Sequence, residues 1–189
     1  MLEIYLGQLD QLEHLEIMKK ILYFFIAVYI TFFATFSIVR YRNMYANYFD
    51  LGIMHQVVYN SYKALQTSDW MRFLEHTDPV GSQQIARSAV HNDIILGLFS
   101  PLYFLYQSPE VLLLIQAFAL GLGALAVYGI GLHVLKKPLY SLIFAICYLL
   151  YVPLQYTNRF DFHSVTLATP FLLFMFYFWL KKRYKMSLV

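Results

Sequence analysis

Apolar residues along this chain are concentrated in four long runs separated by polar segments. The runs are Ile21–Val39, Val111–Leu135, Leu139–Tyr156 and Ser164–Leu180. A helix needs about 20 apolar residues to cross the hydrocarbon core of a bilayer, and each run approaches or reaches that length. A fifth run, Ile94–Tyr106, stops after 13 residues and is too short to cross. The pattern therefore predicts four transmembrane helices, at 21–39, 110–135, 139–156 and 164–180.

The longest segment between two of these runs, residues 40–109, contains two further predicted helices. An amphipathic helix at about residues 50–65 on the membrane surface is predicted from apolar residues at helical spacing, namely Leu51, Met54, Val58, Tyr62 and Leu65. The short apolar run predicts a re-entrant helix at 94–106. Between them, Asp78-Pro79 and Gly81-Ser82 are turn signals in a mixed, polar stretch.

Composition supports a membrane protein. Hydrophobic residues make up 60% of the chain and charged residues 13%, whereas soluble domains carry about 25% charged residues to wet their surface. The predicted fold class is therefore all-α, a polytopic membrane protein. Its basic residues cluster at the ends of apolar runs, which favours contact with membrane lipid and no nucleic-acid partner. The single cysteine, Cys147, leaves no internal disulfide.

The basic clusters also predict an orientation. With four crossings, Lys19-Lys20, Lys136-Lys137 and the 181–185 cluster all lie on one side, which the positive-inside rule assigns to the cytoplasm. We therefore expect a multi-pass protein of the cell membrane with a cytoplasmic N-terminal segment (1–20), an outer loop (40–109) and a cytoplasmic tail (181–189). Within the first segment, residues 1–17 are expected to form a short surface helix.

Two acids and a histidine stand near the predicted outer surface. Asp161 and His163 are two residues apart, so an extended backbone would point both to one side, where they suit a divalent metal or a phosphate. A solvated connection between helices is the favoured alternative when these two residues are considered alone. Asp50 begins the predicted amphipathic helix and serves either as its N-cap, the better reading of this residue alone, or as a metal ligand or general base.

Four other polar residues are further candidates. His91 and Asp93 begin the predicted re-entrant segment, and backbone at that depth normally lines a cavity within the protein. His55 is either a ligand or part of the wet face of the surface helix, with the wet face favoured. Arg159 either binds a phosphate through its guanidinium fork or pairs with Asp161.

Several phrases of the sequence occur in an order typical of a known family. They are Tyr48-Phe49-Asp50-Leu51-Gly52-Ile53 with Gln56, Val90-His91, Pro101-Leu102-Tyr103 with Ser108-Pro109, Leu113-Leu114-Ile115-Gln116 and Phe160-Asp161-Phe162-His163. From about Met18 to Lys185 the chain resembles the membrane-protein family known as domain of unknown function 2079. That family in turn resembles the GT-C superfamily of polytopic glycosyltransferases.

The GT-C resemblance implies roles for the polar residues. Asp50 would be the catalytic acid of the first outer loop and Asp161 that of the second, with His163 joining them around a divalent metal, Mg²⁺ or Mn²⁺. The resemblance implies that His91 is a supporting ligand or phosphate contact. Together with the candidates named above, the expected substrate-binding residues are His91, Asp93, Arg159 and His55. Because GT-C cores contain more helices than this chain, the resemblance also implies that the chain is the N-terminal part of a GT-C-like fold.

The implied function is transfer of a sugar from a polyprenyl-phosphate donor at the outer membrane face. The alternative is a non-catalytic multi-pass membrane protein, either a lipid-binding subunit or a truncated remnant of a larger enzyme.

Overall fold

A computed structural model describes residues 2–46 and 48–187, and within them the chain is mostly helical, as predicted. A two-stranded hairpin is the exception to the all-α expectation. The elements are α1 (Leu2–Arg42), α2 (Tyr48–Thr67), β1 (Glu75–Thr77), β2 (Gln84–Ala86), α3 (Ile95–Phe99), α4 (Glu110–Leu135), α5 (Pro138–Leu149), α6 (Val152–Arg159), α7 (Ala168–Leu180) and α8 (Tyr184–Ser187). Short 3₁₀ turns occupy Trp70–Arg72, Arg87–Ala89, Ser100–Phe104 and Ser164–Leu167.

Two helices among the described residues are long and apolar enough to span a membrane, Gln11–Arg42 within α1 and Glu110–Leu135. Helices α5 and α6 form a third candidate span if the pair is counted as one, with a bend of 44° between them. The fourth predicted run folds as the shorter apolar helix Ser164–Leu180. The chain is thus a membrane protein, while the number of four crossings stays a prediction.

Helix α1 is one unbroken helix of 41 residues. The sequence predicts a short surface helix at 1–17; Met1 lies outside the described residues, and residues 2–17 continue into the apolar run without interruption. The reason is local: α1 contains no proline and only one glycine, Gly7, so nothing in the sequence ends the helix between Gly7 and Arg42.

The break between α5 and α6 comes from Pro153. Proline lacks an N–H and its ring clashes with the carbonyl four residues earlier, which here belongs to Leu149. The side-chain amide of Gln155 instead donates to that Leu149 oxygen at 3.1 Å. The bend is therefore stabilised by a hydrogen bond that replaces the one that the proline removes.

The chain divides into two compact units. The first contains the chain up to Phe33, Ala117–Thr157 and the chain from Leu167, and the second contains Ala34–Gln116 and Asn158–Thr166. In the first unit, glycines of α4 allow close approach: a Cβ on Gly121 would lie 2.6 Å from Ile30 Cγ1.

The second unit is built around α2. The apolar face predicted for this helix includes Leu51, Met54 and Val58, and all three side chains are buried. That face packs against β1, α3 and the adjoining 3₁₀ turns. The apolar stripe of α2 therefore contacts protein in the structure rather than being free to lie on lipid.

The hairpin of the second unit uses the predicted turn signals. Strands β1 and β2 pair antiparallel, with Glu75 opposite Ala86 and Thr77 opposite Gln84. The Asp78 carboxylate accepts hydrogen bonds from the backbone N–H of Val80 at 3.1 Å and of Gly81 at 3.0 Å. Asp78 thereby organises the turn, a common role for this residue type.

A bidentate ion pair joins the end of α1 to the start of α4 within the second unit. The Arg42 guanidinium donates to both carboxylate oxygens of Glu110, at 2.8 and 3.0 Å, and Tyr106 adds a hydrogen bond to the same carboxylate at 3.2 Å. Fork-to-fork pairs of this kind fix orientation as well as distance.

Candidate functional site

The Phe160–His163 loop connects α6 to the 3₁₀ turn before α7, and its two central side chains, Asp161 and Phe162, are both buried. Asp161 is 4% exposed and Phe162 is fully buried, with the Phe162 ring edge-on to Phe99 at 6.3 Å between centroids. Two consecutive buried residues do not fit an extended strand. The predicted common side for Asp161 and His163 therefore does not hold, since of these two side chains Asp161 is buried and His163 is partly exposed.

The side chain of Gln116 holds the backbone of this loop in place by hydrogen bonding. Its buried side-chain oxygen accepts a hydrogen bond from the His163 backbone N–H at 3.1 Å and from the Thr166 hydroxyl at 3.0 Å. The same hydroxyl lies 2.8 Å from the His163 carbonyl oxygen. Hydrogen bonds to its main chain therefore help to set the position of His163 and do not involve its Nε2 atom.

Asp93 fixes the next residue, Ser164. One oxygen of the Asp93 carboxylate accepts from Arg87 Nε at 2.7 Å, and the other accepts a short hydrogen bond from the Ser164 hydroxyl. The side chains of Arg87 and Asp93 are only 7% and 13% exposed. Asp93, expected from its position to bind substrate, forms a buried ion pair in the structure that holds the loop.

The loop places His163 beside Asp50. The Nε2 atom of His163 lies 3.6 Å from Oδ2 of Asp50, with the two side chains 30% and 35% exposed. Asp50 is inside the first turn of α2, so it is not the N-cap considered above, and its charge is stabilised by the free N–H groups of that turn. An acid and an imidazole far apart in sequence therefore meet at an accessible point.

The hydrogen bond on the other ring nitrogen determines what this pair can do. His163 Nδ1 lies 3.1 Å from the Asp161 backbone oxygen, and a carbonyl oxygen only accepts, so Nδ1 carries the proton. In the neutral ring, Nε2 then presents a lone pair toward the Asp50 carboxylate. Two acceptors facing each other favour an electropositive atom between or beside them: a proton, a substrate N–H or O–H, or a metal ion.

The geometry is close to that of two metal ligands. Atoms about 2.1 Å from one ion are about 3.0 Å apart at a right angle and about 3.4 Å apart at the tetrahedral angle. The observed 3.6 Å is slightly wider, within reach of a small side-chain rotation. Within residues 2–46 and 48–187 no third His, Cys, Asp or Glu completes the group, so water or substrate would supply the remaining ligands.

His55 is engaged elsewhere in the second unit. Its Nδ1 lies 2.8 Å from the Tyr103 hydroxyl, and the two rings are 5.5 Å apart. Burial lowers the pKa of His55 and raises that of Tyr103, because desolvation disfavours the charged form of each. The structure therefore gives His55 a packing partner in place of the wet face that the sequence favours.

His91 and Arg159 are both exposed. No hydrogen bond or ion pair involves the His91 side chain among the described residues, and its backbone N–H bonds to the Arg87 carbonyl at 2.9 Å. The Arg159 guanidinium lies over the Phe36 ring, 5.1 Å from its centroid. Arg40 lies over the same ring at 5.9 Å and donates to the Arg159 carbonyl, so two guanidinium groups share one aromatic platform.

Sequence reasoning missed three residues that build this site: Arg87, Gln116 and Ser164. Gln116 belongs to one of the family phrases and follows three apolar residues, so a polar side chain in such a run was an available signal for a buried hydrogen-bonding role. Arg87 and Ser164 carry no comparable signal, because their importance arises only when distant loops meet at Asp93.

The chain combines helices that could span a membrane with an acid–imidazole pair in its second compact unit. These features define a polytopic membrane protein with a candidate polar site. The chain matches a family model described as predicted membrane protein (DUF2079), over residues 40–189, and it belongs to that family. The match begins near the end of α1, later than the resemblance suggested. Comparisons with curated proteins and with solved structures give no match.

Proposed function

We propose that this chain, or a longer protein that contains it, transfers a sugar from a polyprenyl-phosphate donor, in the manner of GT-C glycosyltransferases. The observation that supports this proposal is the accessible pair of Asp50 and His163, 3.6 Å apart. Both residues stand in the phrases that carry the family resemblance. The pair offers a base and a second polar group at one point, as glycosyl transfer to a hydroxyl requires.

The proposal places the second unit on the outer face of the cell membrane. Four crossings with both termini in the cytoplasm would put the basic clusters inside. The ion pair of Arg42 with Glu110 supports this arrangement, since it keeps the ends of the two spanning helices together at the second unit. A lipid-linked donor could then reach the pair from the bilayer.

In the proposed step, the acceptor hydroxyl oxygen forms a bond to the anomeric carbon of the sugar. The bond from that carbon to the phosphate oxygen breaks, and polyprenyl phosphate leaves with the bonding electrons. The Asp50 carboxylate takes the proton of the acceptor hydroxyl. Asp161, buried under the loop, would contribute through its carbonyl bond to the His163 ring rather than as a second exposed carboxylate.

A divalent metal fits this proposal through Asp50 Oδ2 and His163 Nε2. Mg²⁺ prefers oxygen ligands, so the mixed oxygen and nitrogen pair favours Mn²⁺ of the two expected metals. When bound, such an ion would neutralise charge on the donor phosphate. Arg159 and Arg40, exposed beside Phe36, are further candidates for contact with that phosphate.

A non-catalytic membrane protein is the second candidate, and a specific observation favours it. Of the acids named from the sequence, Asp93 is held in a buried ion pair and Asp161 is buried, which leaves Asp50 as the accessible one. A lipid-binding subunit would need no more than that.

The test is donor consumption by membranes that contain the full-length protein. Synthetic polyprenyl-phosphate glucose and mannose are supplied, and released polyprenyl phosphate is measured. Asp50→Asn should reduce release at least 100-fold, since a positioned base contributes about 10²–10⁴-fold. Asp69→Asn is the matched control, because it removes an exposed carboxylate of the same unit whose ion pair, among the described residues, is with Arg72. Release equal in Asp50→Asn and wild type would refute the role of Asp50, and no release above protein-free membranes would favour the second candidate.

A further inference from the structure

The first unit contains a groove that the proposed function does not use. The groove has a volume of about 840 Å³, within the range of about 300–1,000 Å³ typical of ligand sites. It lies between the early part of α1 and the junction of α4 with α5. Its lining residues are Gln11, Leu12, His14, Leu15, Leu132 and the stretch from Lys136 to Tyr140.

The walls of this groove are apolar and one end is cationic. Leu12, Leu15, Leu132 and Leu139 supply the hydrocarbon surface, and none of the described lining residues is an acid. Lys136 and Lys137 are exposed and are the only residues between α4 and α5. Neither lysine forms an ion pair among the described residues. Two ammonium groups therefore lie beside apolar walls without an ion-pair partner among the described residues.

The position of the lysines identifies the kind of ligand. They follow Leu135, the last residue of a candidate span, and basic residues at the end of a span lie at the depth of lipid headgroups. A small soluble anion could pair with the lysines but would make no favourable contact with the leucine side chains. A molecule with an anionic head and a hydrocarbon chain complements both parts of the groove.

We propose that this groove binds one anionic phospholipid, with its headgroup phosphate at Lys136 and Lys137 and one acyl chain along Leu12, Leu15 and Leu132. The site is independent of the Asp50–His163 pair, because all of its lining residues belong to the first unit. It would tie the beginning of α1 to the junction of α4 with α5 through a bound lipid.

The experiment is native mass spectrometry of the full chain, released from nanodiscs that contain equal amounts of phosphatidylcholine and phosphatidylglycerol. Wild type should retain one phosphatidylglycerol molecule in preference to phosphatidylcholine. The double variant Lys136→Gln/Lys137→Gln should weaken retention about 30-fold, since each lysine near a membrane surface contributes about fivefold. Leu12→Trp, at an exposed position of the wall, should displace the lipid without a change in charge.

The matched control is Lys181→Gln/Lys182→Gln. It removes the same charge at the end of α7, and each pair includes one lysine with left-handed backbone, Lys136 and Lys182, both at φ 56°. Retention in the control should equal that of wild type. Equal loss in both double variants, no preference for phosphatidylglycerol in wild type, or equally tight binding of glycerol phosphate alone would each overturn the proposal.

Discussion

Removal of one partner from the buried pair of Arg87 and Asp93 should destabilise the second unit strongly. Arg87→Met leaves the Asp93 carboxylate with Ser164 as its remaining hydrogen-bond partner among the described residues, in a place where it is 13% exposed. Breaking a buried pair in this way costs about 3–5 kcal/mol, because a charge is left without compensation. For a chain of this size each kcal/mol lowers the melting midpoint by about 2–4 °C, so we expect a decrease of about 6–20 °C.

A second arginine–aspartate pair in the same unit provides the control. Arg72 Nε lies 3.0 Å from Asp69 Oδ2, but these side chains are 54% and 44% exposed. Exposed pairs contribute about 0–1 kcal/mol, so Arg72→Met should shift the midpoint by at most about 4 °C. The two variants remove the same residue type from the same kind of contact, and burial is the difference between them.

The assay is a thermal melt in detergent that follows tryptophan fluorescence. The chain has two tryptophans, and Trp179→Phe leaves Trp70, which belongs to the second unit. In this background the double variant Arg87→Met/Asp93→Leu should melt above Arg87→Met, because no buried charge remains. An Arg87→Met shift no larger than that of Arg72→Met, or single effects that simply add in the double variant, would refute the reasoning.

Three further predictions concern separate features. Burial lowers the pKa of His55 in the folded chain, so as pH falls the unfolded chain takes up a proton at this residue before the folded chain does. The stability that neutral His55 contributes should therefore be full above a pH of about 6.5 and should be lost as pH falls toward the pKa of the folded state. Melting midpoints across pH should show this slope in wild type and less of it in His55→Asn, and identical slopes would contradict it. Gln116→Leu leaves the His163 N–H without its partner and should cost about 1–3 kcal/mol. It should also weaken Mn²⁺ binding measured by electron paramagnetic resonance, whereas replacement of an exposed glutamine, Gln83→Leu, should do neither. Gly121→Ala brings a Cβ to 2.6 Å from Ile30 and should lower the melting midpoint by overpacking. Gly52→Ala, whose Cβ would have nothing within 4 Å, should raise the midpoint through helix propensity. A higher midpoint for both variants would show that helix propensity decides the outcome.

The apolar helices could be predicted from composition, but the bend between α5 and α6 could not. Apolar runs predicted α1 and α4 because transfer of so many apolar side chains from water outweighs local effects. The hairpin at 75–86 was missed, since strands of three residues are too short for a period to be detected. Pro153 was visible in the sequence, but the bend also depends on Gln155, whose bond to Leu149 has no sequence signal.

The site was predicted in part. The family phrases brought Asp50 and His163 together before any contact was known, and the structure places them 3.6 Å apart. The sequence could not determine which of Asp161, Phe162 and His163 turns inward, because that choice depends on space beside Phe99 and on the hydrogen bonds of Gln116. Asp93 illustrates the same point, since its partners lie in two other loops.

The way in which the Phe160–His163 loop is held has a consequence for how the site can change. Gln116 and Thr166 bind the main chain at position 163, and Asp93 binds its neighbour Ser164. The ring of His163 carries none of these bonds between loops, so the scaffold does not depend on its identity. Exchange of that residue for cysteine, aspartate or glutamate should therefore change which ion or substrate group is preferred opposite Asp50 while the loop keeps its shape, and position 163 becomes a natural place to redesign specificity.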